Sequence, residues 1–134
     1  MPLAKERNTI QIGDGLNREI GIKANVKIFA GALVVNDAGV AAPGRTATGL
    51  VAIGRAEQTV DNTGGADNAQ RIRVRRGVLG FKNKSDDLVV AADIGKDCFV
   101  VDDETVAKTS ATNTRSVAGK VFAIDGDTVY VDFM

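Results

Sequence analysis

The sequence lacks histidine and tryptophan and contains a single cysteine in 134 residues. Without histidine, the chain cannot build a Ser-His-Asp or Cys-His nucleophilic site, and it lacks the commonest general base. The lone Cys98 can form neither an intramolecular disulfide nor a thiolate zinc site. Carboxylates or lysine could still carry chemistry, but these absences favour a protein that is not an enzyme and has no cofactor or metal.

An excess of charge is also missing, because 17 basic residues balance 17 acidic residues. The basic footprint that nucleic acid requires is therefore not expected. Aromatic residues make up only 4% of the chain, which argues against a platform for stacking bases or sugars. No apolar run approaches the roughly 18–20 residues that span a bilayer, and the N-terminal MPLAKERNTIQIG has no apolar signal region. We expect a soluble protein made in the cytoplasm, without nucleic-acid, membrane or small-molecule partners.

The chain is instead rich in short Val- and Ile-containing runs separated by Gly, Asn and Asp, a pattern typical of many short strands. The predicted strands are Thr9–Ile12, Glu19–Ile22, Val26–Phe29, Ala32–Asn36, Val40–Ala42, Leu50–Ala56, Arg71–Leu79, Leu88–Ala91, Cys98–Asp102, Val106–Lys108, Val117–Ile124 and Thr128–Phe133. This spacing predicts an all-β fold, a small antiparallel barrel or sandwich. It also predicts many strand edges, which association with other subunits would cover.

Three segments interrupt the strand pattern. Residues 1–8 are polar and predict an extended N-terminal arm. Residues 57–70, rich in Gly, Asn and Asp, predict a long exposed loop, and residues 82–87 predict a short charged one. None of them resembles an interdomain linker, so we predict a single β domain over residues 9–134.

An internal repeat relates the two halves of this domain. "ALVVNDAGVAA" (Ala32–Ala42) aligns with "CFVVDDETVAK" (Cys98–Lys108) at an offset of 66 residues, with five identical positions. The similarity continues more loosely, with Gly54 over Gly119 and "RIRV" over "TVYV". We therefore predict a duplicated β unit, with loop 57–70 inserted in the first copy.

The repeat bears on Asp102, Asp103 and Glu104, which could form a metal site, an acid/base pair or a turn. The first copy has Asn36, Asp37 and Ala38 in their places. Asn and Asp favour turns, whereas a cation site needs several converging oxygens, which the first copy lacks. The comparison favours a turn. "DGD" at 125–127 predicts a hairpin on the same grounds.

The most distinctive charged segment is "RIRVRRG" (Arg71–Gly77). Alternation along a strand places Arg71, Arg73 and Arg75 on one face and the intervening Ile and Val on the other. This Arg stripe could be a solvated surface, a surface that pairs with acidic groups of a protein partner, or, less consistently with the total charge, a nucleic-acid contact. The Gly pair at 13 and 15 does not complete a dinucleotide fingerprint, because Arg18 occupies its third position.

The last hundred residues resemble the head decoration, or structural cement, proteins of tailed bacteriophages. In these a "G…vyvdd…tv" hairpin is followed by "aG.v…dg..v.V.l" at the C-terminus, as in "AADIGKDCFVVDDETVAKTSATNTRSVAGKVFAIDGDTVYVDF" here. The matching residues are Gly95, Phe99, Val101, Asp102, Asp103, Val106, Gly119, Gly126, Val129 and Val131. "GLVAIGRAEQ" and "RIRVRRGVLGF" are similar to the central sheet of that family, whereas "KERNTIQIGDG" fits it only loosely.

The resemblance implies a β-rich, non-catalytic virion protein that binds the major capsid protein on the outer surface of the head. It also implies a homotrimer with an N-terminal arm that reaches its neighbours. The residues we expect to make capsid or subunit contacts are Leu3, Lys5, Arg7, Ile10, Asp61, Asn62, Arg71, Arg73 and Arg75. The alternatives are another phage structural component, such as a head-fibre base or tail-tube-like protein, and a carboxylate-based enzyme.

Overall fold

The computed structural model describes residues 2–134 and is nearly all β, with one three-residue 3-10 helix at Ala91–Asp93 and no α-helix in that range. The strands of the first half are β1 (Asn17–Gly21), β2 (Lys27–Ile28), β3 (Leu33–Asp37), β4 (Val40–Pro43), β5 (Val51–Ala56), β6 (Val60–Asp61) and β7 (Arg71–Arg75). Those of the second half are β8 (Val78–Asn83), β9 (Asp97–Val100), β10 (Thr105–Ala107), β11 (Val117–Asp125) and β12 (Thr128–Asp132). The predicted all-β class is confirmed.

No helix within residues 2–134 has the length and apolarity required to cross a membrane.

The first half forms a five-stranded sheet, the N-terminal sheet, in the order β1-β7-β5-β3-β4. All neighbouring strands in it are antiparallel. Its two edges also approach each other, because Ile22 forms a parallel bridge with Ala41 and the Lys23 N–H donates to the Ala41 carbonyl at 2.9 Å. The short pair β2-β6 lies beside this sheet.

The second half forms a closed barrel, the C-terminal barrel, in the order β10-β8-β12-β11-β9. Its one parallel pair among the described residues joins β8 to β10, where the Lys84 N–H donates to the Val106 carbonyl at 3.0 Å. Closure pairs every strand of the barrel on both sides, so the unpaired edges that we predicted are absent from this half.

The two halves share one topology. Strands β1, β3, β4, β5 and β7 have the same order and pairing as β8, β9, β10, β11 and β12, including the parallel closure. A register shift also interrupts the ladders β3-β5 and β9-β11 at corresponding places, next to Gly54 and Gly119.

The hydrogen-bond ladders correct the residue equivalence taken from the sequence repeat. Val34 lies opposite Gly54, and Cys98 lies opposite Gly119, so Cys98 occupies the position of Val34 rather than that of Ala32. The aligned valines are therefore displaced by two residues in this strand. A two-residue shift preserves which face each side chain occupies, so a Val-rich sequence matches almost as well at either alignment.

Two hydrophobic clusters lie on opposite faces of β3. Leu33 and Val35 belong to a cluster that fills the C-terminal barrel together with Phe81, Val129 and others. Val34, between them, packs on the other face with a second cluster of the N-terminal sheet. Because each buried aliphatic side chain contributes about 1.5–3 kcal/mol, the shared first cluster couples the two halves energetically.

Three of the predicted strands are wrong. Thr9–Ile12 forms no strand, because its side chains are exposed and contact no hydrophobic cluster. Leu88–Ala91 is a loop leading into the 3-10 helix. Arg71–Leu79 is two strands, since the chain leaves β7 at Arg76 and Gly77, where Gly77 has φ +152°. That break is the connector between the two halves.

The sequence predicted that segment 57–70 is a long exposed loop, but the structure shows that part of it is paired and packed. It contains β6, which pairs with β2, and Val60 packs against the second cluster. The Asn68 N–H donates to the Ile22 carbonyl at 2.9 Å, and the Ala24 N–H donates to the Asp67 carboxylate at 2.7 Å. The segment therefore runs along residues 22–28 and covers that side of the N-terminal sheet.

Candidate functional site

The predicted Arg stripe lies on β7, between β1 and β5. Ile72 and Val74 are buried in the second cluster, at 0% and 1% exposure, so the arginines alternate outward as predicted. Arg71 and Arg73 are exposed, and Arg75 is half-buried. The strand thus presents three guanidinium groups on one sheet face.

Two arginines of this face form no direct ion pair within residues 2–134. The Arg71 Nε donates to the Glu19 carboxylate at 3.2 Å. Glu19 also lies opposite Arg73 across the strands, but neither Arg73 nor Arg75 is paired with a carboxylate at ion-pair distance. Arg55 of β5 lies directly opposite Arg75 across the strands and pairs with Glu57 at 3.1 Å. Like charges directly opposite each other are unfavourable, so this face has unused capacity for an acidic partner.

The N-terminal segment, residues 2–15, is exposed and contains no regular secondary structure. Leu3 and Ile10 are 73% and 80% exposed, and the polar Lys5 and Arg7 are exposed as well. The segment is held where it joins the sheet, because the Arg76 Nε donates to the Gly15 carbonyl at 2.6 Å. The expected contact residues of this segment are thus accessible, but the structure does not bring them into contact with the Arg stripe.

The two expected contact residues of segment 57–70 differ in exposure. Asp61 is exposed, and its carboxylate accepts hydrogen bonds from the N–H and hydroxyl of Thr63. Asn62 is only 3% exposed, and its side-chain amide donates to the Lys23 and Ala66 carbonyls at 3.0 Å. Asn62 therefore holds the segment together, in contrast to its predicted role in contacts.

The predicted turn at Asp102, Asp103 and Glu104 is confirmed. The Asp102 side chain accepts the Glu104 N–H at 2.9 Å, and in the other half Asn36 accepts the Gly39 N–H at 2.7 Å. Short Asp and Asn side chains stabilise tight turns in this way. Within residues 2–134, no group of three His, Cys, Asp or Glu side chains is arranged to hold a metal ion.

This turn and the 125–127 hairpin both flank Lys82 of β8. Lys82 donates from its backbone to the Glu104 carbonyl at 2.7 Å and pairs with the Glu104 carboxylate at 2.6 Å, while Thr128 lies opposite it on β12. Burial, and then the nearby charge of Asp102, raise the pKa of Asp103 above its usual value. Negative charge is therefore concentrated at this end of the barrel, whereas in the sequence the two turns lie more than 20 residues apart.

A groove of about 460 Å³ separates this turn from the N-terminal half. It is lined by Phe29, Ala30, Gly31, Ala32, Asp103 and Glu104. Phe29 is 56% exposed, with the Lys27 ammonium 4.8 Å from the centre of its ring. The sequence offered no signal for this groove, because its two walls are more than 70 positions apart in the chain.

Cys98 lies inside the barrel as a small packed side chain. It is 0% exposed, and burial raises the pKa of its thiol to about 12. A nucleophilic cysteine needs the opposite, a lowered pKa and access to solvent.

Comparison with protein-family models, curated proteins and solved structures found no match to this chain.

Proposed function

We propose that this protein is a structural component of a tailed-bacteriophage virion, a non-catalytic homotrimer that binds the major capsid protein on the outside of the expanded head. The resemblance of its last hundred residues to head decoration proteins motivates the proposal. The two halves, with their common strand order, arose in this view by duplication of one β unit.

The observation that carries the proposal is the N-terminal segment. Leu3, Ile10 and Ile12 are 73%, 80% and 103% exposed, although large aliphatic side chains are favoured in contact with other apolar groups. A partner surface that covered them would gain roughly 1.5–3 kcal/mol per side chain. The segment is therefore best explained as a binding element that reaches a neighbouring protein.

The function follows from mass action. A protein that binds only the expanded lattice of capsid subunits stabilises that lattice by an amount that rises with the logarithm of its concentration above the dissociation constant. The added contacts oppose the outward pressure of packaged DNA, and no catalytic group is needed. Two β units that share a hydrophobic cluster offer the body, and the exposed N-terminal segment supplies the reach.

The test is cosedimentation with expanded, undecorated heads formed by the major capsid protein encoded nearest to this gene. We expect the wild-type protein to pellet with heads, and Leu3→Ser/Ile10→Ser to bind at least about tenfold more weakly, since each 1.4 kcal/mol is a factor of ten. Asn8→Ala, an exposed change in the same segment, serves as the matched control and is expected to bind normally.

Two outcomes would contradict the proposal. Wild-type protein that stays in the supernatant at all concentrations would exclude head binding. Protein that pellets with isolated tails but not with heads would favour a tail component. Circular dichroism of each variant separates loss of binding from loss of the fold.

A further inference from the structure

The balanced total charge conceals a large separation of charge between the two halves. Residues 1–76 carry four more basic than acidic side chains, and residues 77–134 carry four more acidic than basic ones. The division falls at the connector between β7 and β8, so it coincides with the boundary between the N-terminal sheet and the C-terminal barrel. Each half therefore has its own sign of charge.

The positive half concentrates its charge on one sheet face, called here the basic face, formed by Arg55, Arg71, Arg73 and Arg75. The acidic partners of these arginines within residues 2–134 are Glu19 and Glu57, both from the same half. No carboxylate of the C-terminal barrel pairs with the basic face in the same chain. The face is thus an unpartnered sheet surface with an excess of guanidinium groups.

The negative half concentrates its charge at one end of the barrel, called here the acidic end. Its five carboxylates lie on the turn at 102–104 and on the hairpin at 125–127, which both flank Lys82. They are Asp102, Asp103, Glu104, Asp125 and Asp127. Two cations lie nearby: Lys82 pairs with Glu104, and Arg45 of the N-terminal half forms a backbone bridge with Asp102. The connector lies at the opposite end of β8, where the Phe133 N–H donates to the Gly77 carbonyl at 2.9 Å. The five residues of β12, each rising roughly 3.3 Å along the strand, separate the acidic end from the connector.

We propose that the basic face of one copy binds the acidic end of a second copy, in a head-to-tail contact. Guanidinium groups pair with carboxylates through parallel hydrogen bonds, which gives such a contact geometric specificity. Both surfaces belong to the same chain and carry charges of opposite sign, so a second copy supplies a complementary partner. The inference deepens the self-association part of the proposed function.

The symmetry of the contact has a consequence for assembly. A head-to-tail contact uses two different surfaces, so each copy retains one free surface of each kind until a ring closes. A ring of three satisfies the trimer of the proposed function, and a contact that fails to close would continue as a filament. In either case association is expected to weaken as salt screens the charges.

Charge reversal tests the contact. Sedimentation velocity is expected to show self-association at least about tenfold weaker for Arg73→Glu/Arg75→Glu and for Asp125→Lys/Asp127→Lys, since one factor of ten corresponds to 1.4 kcal/mol. The chain that carries all four changes restores complementary charge and is expected to associate within about threefold of wild type. Lys96→Glu/Lys108→Glu, the same charge change at two exposed lysines outside both surfaces, is the matched control and is expected to associate normally.

The variant with all four substitutions shows whether the two surfaces bind each other directly. A wild type that is monomeric at low salt, or four changes that do not restore association, would overturn the head-to-tail contact. If a Glu variant loses its β circular dichroism, Arg73→Gln/Arg75→Gln replaces it, with a smaller loss expected. Cosedimentation with heads is measured in parallel: restored association without head binding refutes the proposed function alone, and head binding by a salt-insensitive oligomer refutes the contact alone.

Discussion

Asn62 illustrates how a single polar side chain holds a long segment in place. Its amide is buried and donates to two backbone carbonyls, of Lys23 and Ala66, which join the segment to residue 23. An unsatisfied buried polar group costs about 1–3 kcal/mol. We therefore expect Asn62→Ala to lower the free energy of unfolding by about that amount, measured by urea denaturation. Asn8→Ala removes an exposed amide of the same type, and an equal loss in that control would disprove the argument.

Cys98 offers a probe of whether the barrel opens. Its thiol is fully buried and its pKa is about 12, so at pH 8 it is protonated and inaccessible. We expect no reaction with a thiol-specific reagent in the native protein and complete reaction in denaturant. Rapid labelling of the native protein would mean that the barrel opens locally far below the global free energy of unfolding.

At the scale of elements, Gly54 and Gly119 occupy corresponding bulges of β5 and β11. A Cβ at Gly119 would lie 2.5 Å from the Asp132 carbonyl oxygen, and one at Gly54 would collide with the carbonyl of Arg75. Gly54 also has φ +139°, a backbone conformation that other residues rarely adopt. The bulges thus bring strands closer together than a side chain permits.

We expect Gly119→Ala and Gly54→Ala each to lower the free energy of unfolding by about 1–3 kcal/mol, because the clash forces backbone shifts. Thermal denaturation measures the change. Gly13→Ala is the control, since a Cβ there has nothing within 4 Å. If only one of the two bulge variants is destabilised, the two bulges are not mechanically equivalent, despite their matching position in the topology.

For the whole molecule, stability at low pH depends on carboxylates that bind loops together. Thr109 and then Arg115 hydrogen-bond Asp87 and lower its pKa below the usual value. A lowered folded-state pKa means that the charged form adds stability that is complete above the unfolded pKa of about 3.9 and is lost as the pH falls below it. Asp103 has the opposite effect on stability. Its raised pKa means that its charged form lowers the free energy of unfolding at neutral pH.

Two matched variants are therefore expected to change stability in opposite directions at pH 7. Asp87→Asn removes charged hydrogen bonds and should lower the free energy of unfolding by about 1.5–3 kcal/mol, with a smaller loss of stability on going from pH 5 to pH 3. Asp103→Asn removes an unfavourable charge and should raise the melting temperature at pH 7. Equal effects of the two substitutions would contradict the assigned pKa directions.

Local chemistry made much of this architecture predictable. Alternation in "RIRVR" identified the outward arginines, and Asp102 with its short oxygen-bearing side chain identified a turn. The prediction of a strand at Thr9–Ile12 was wrong, because an alternating segment forms a strand only where a partner strand or a hydrophobic core covers its side chains. Asn62 was assigned to contacts instead of to its buried structural role because turn-forming residues look the same in sequence whether exposed or buried.

The amino-acid sequence alone determined the β class, the short strands, the turns and the absence of a histidine-based site, because these depend on residue type and on contacts between near neighbours. Only the tertiary structure decided the closure of the C-terminal barrel, the two-residue correction to the repeat, and the placement of the 102–104 turn and the 125–127 hairpin on either side of Lys82. Those features depend on pairing between residues distant in the chain. Such pairings have nearly equal local patterns in several registers, and the packing of the whole core selects one.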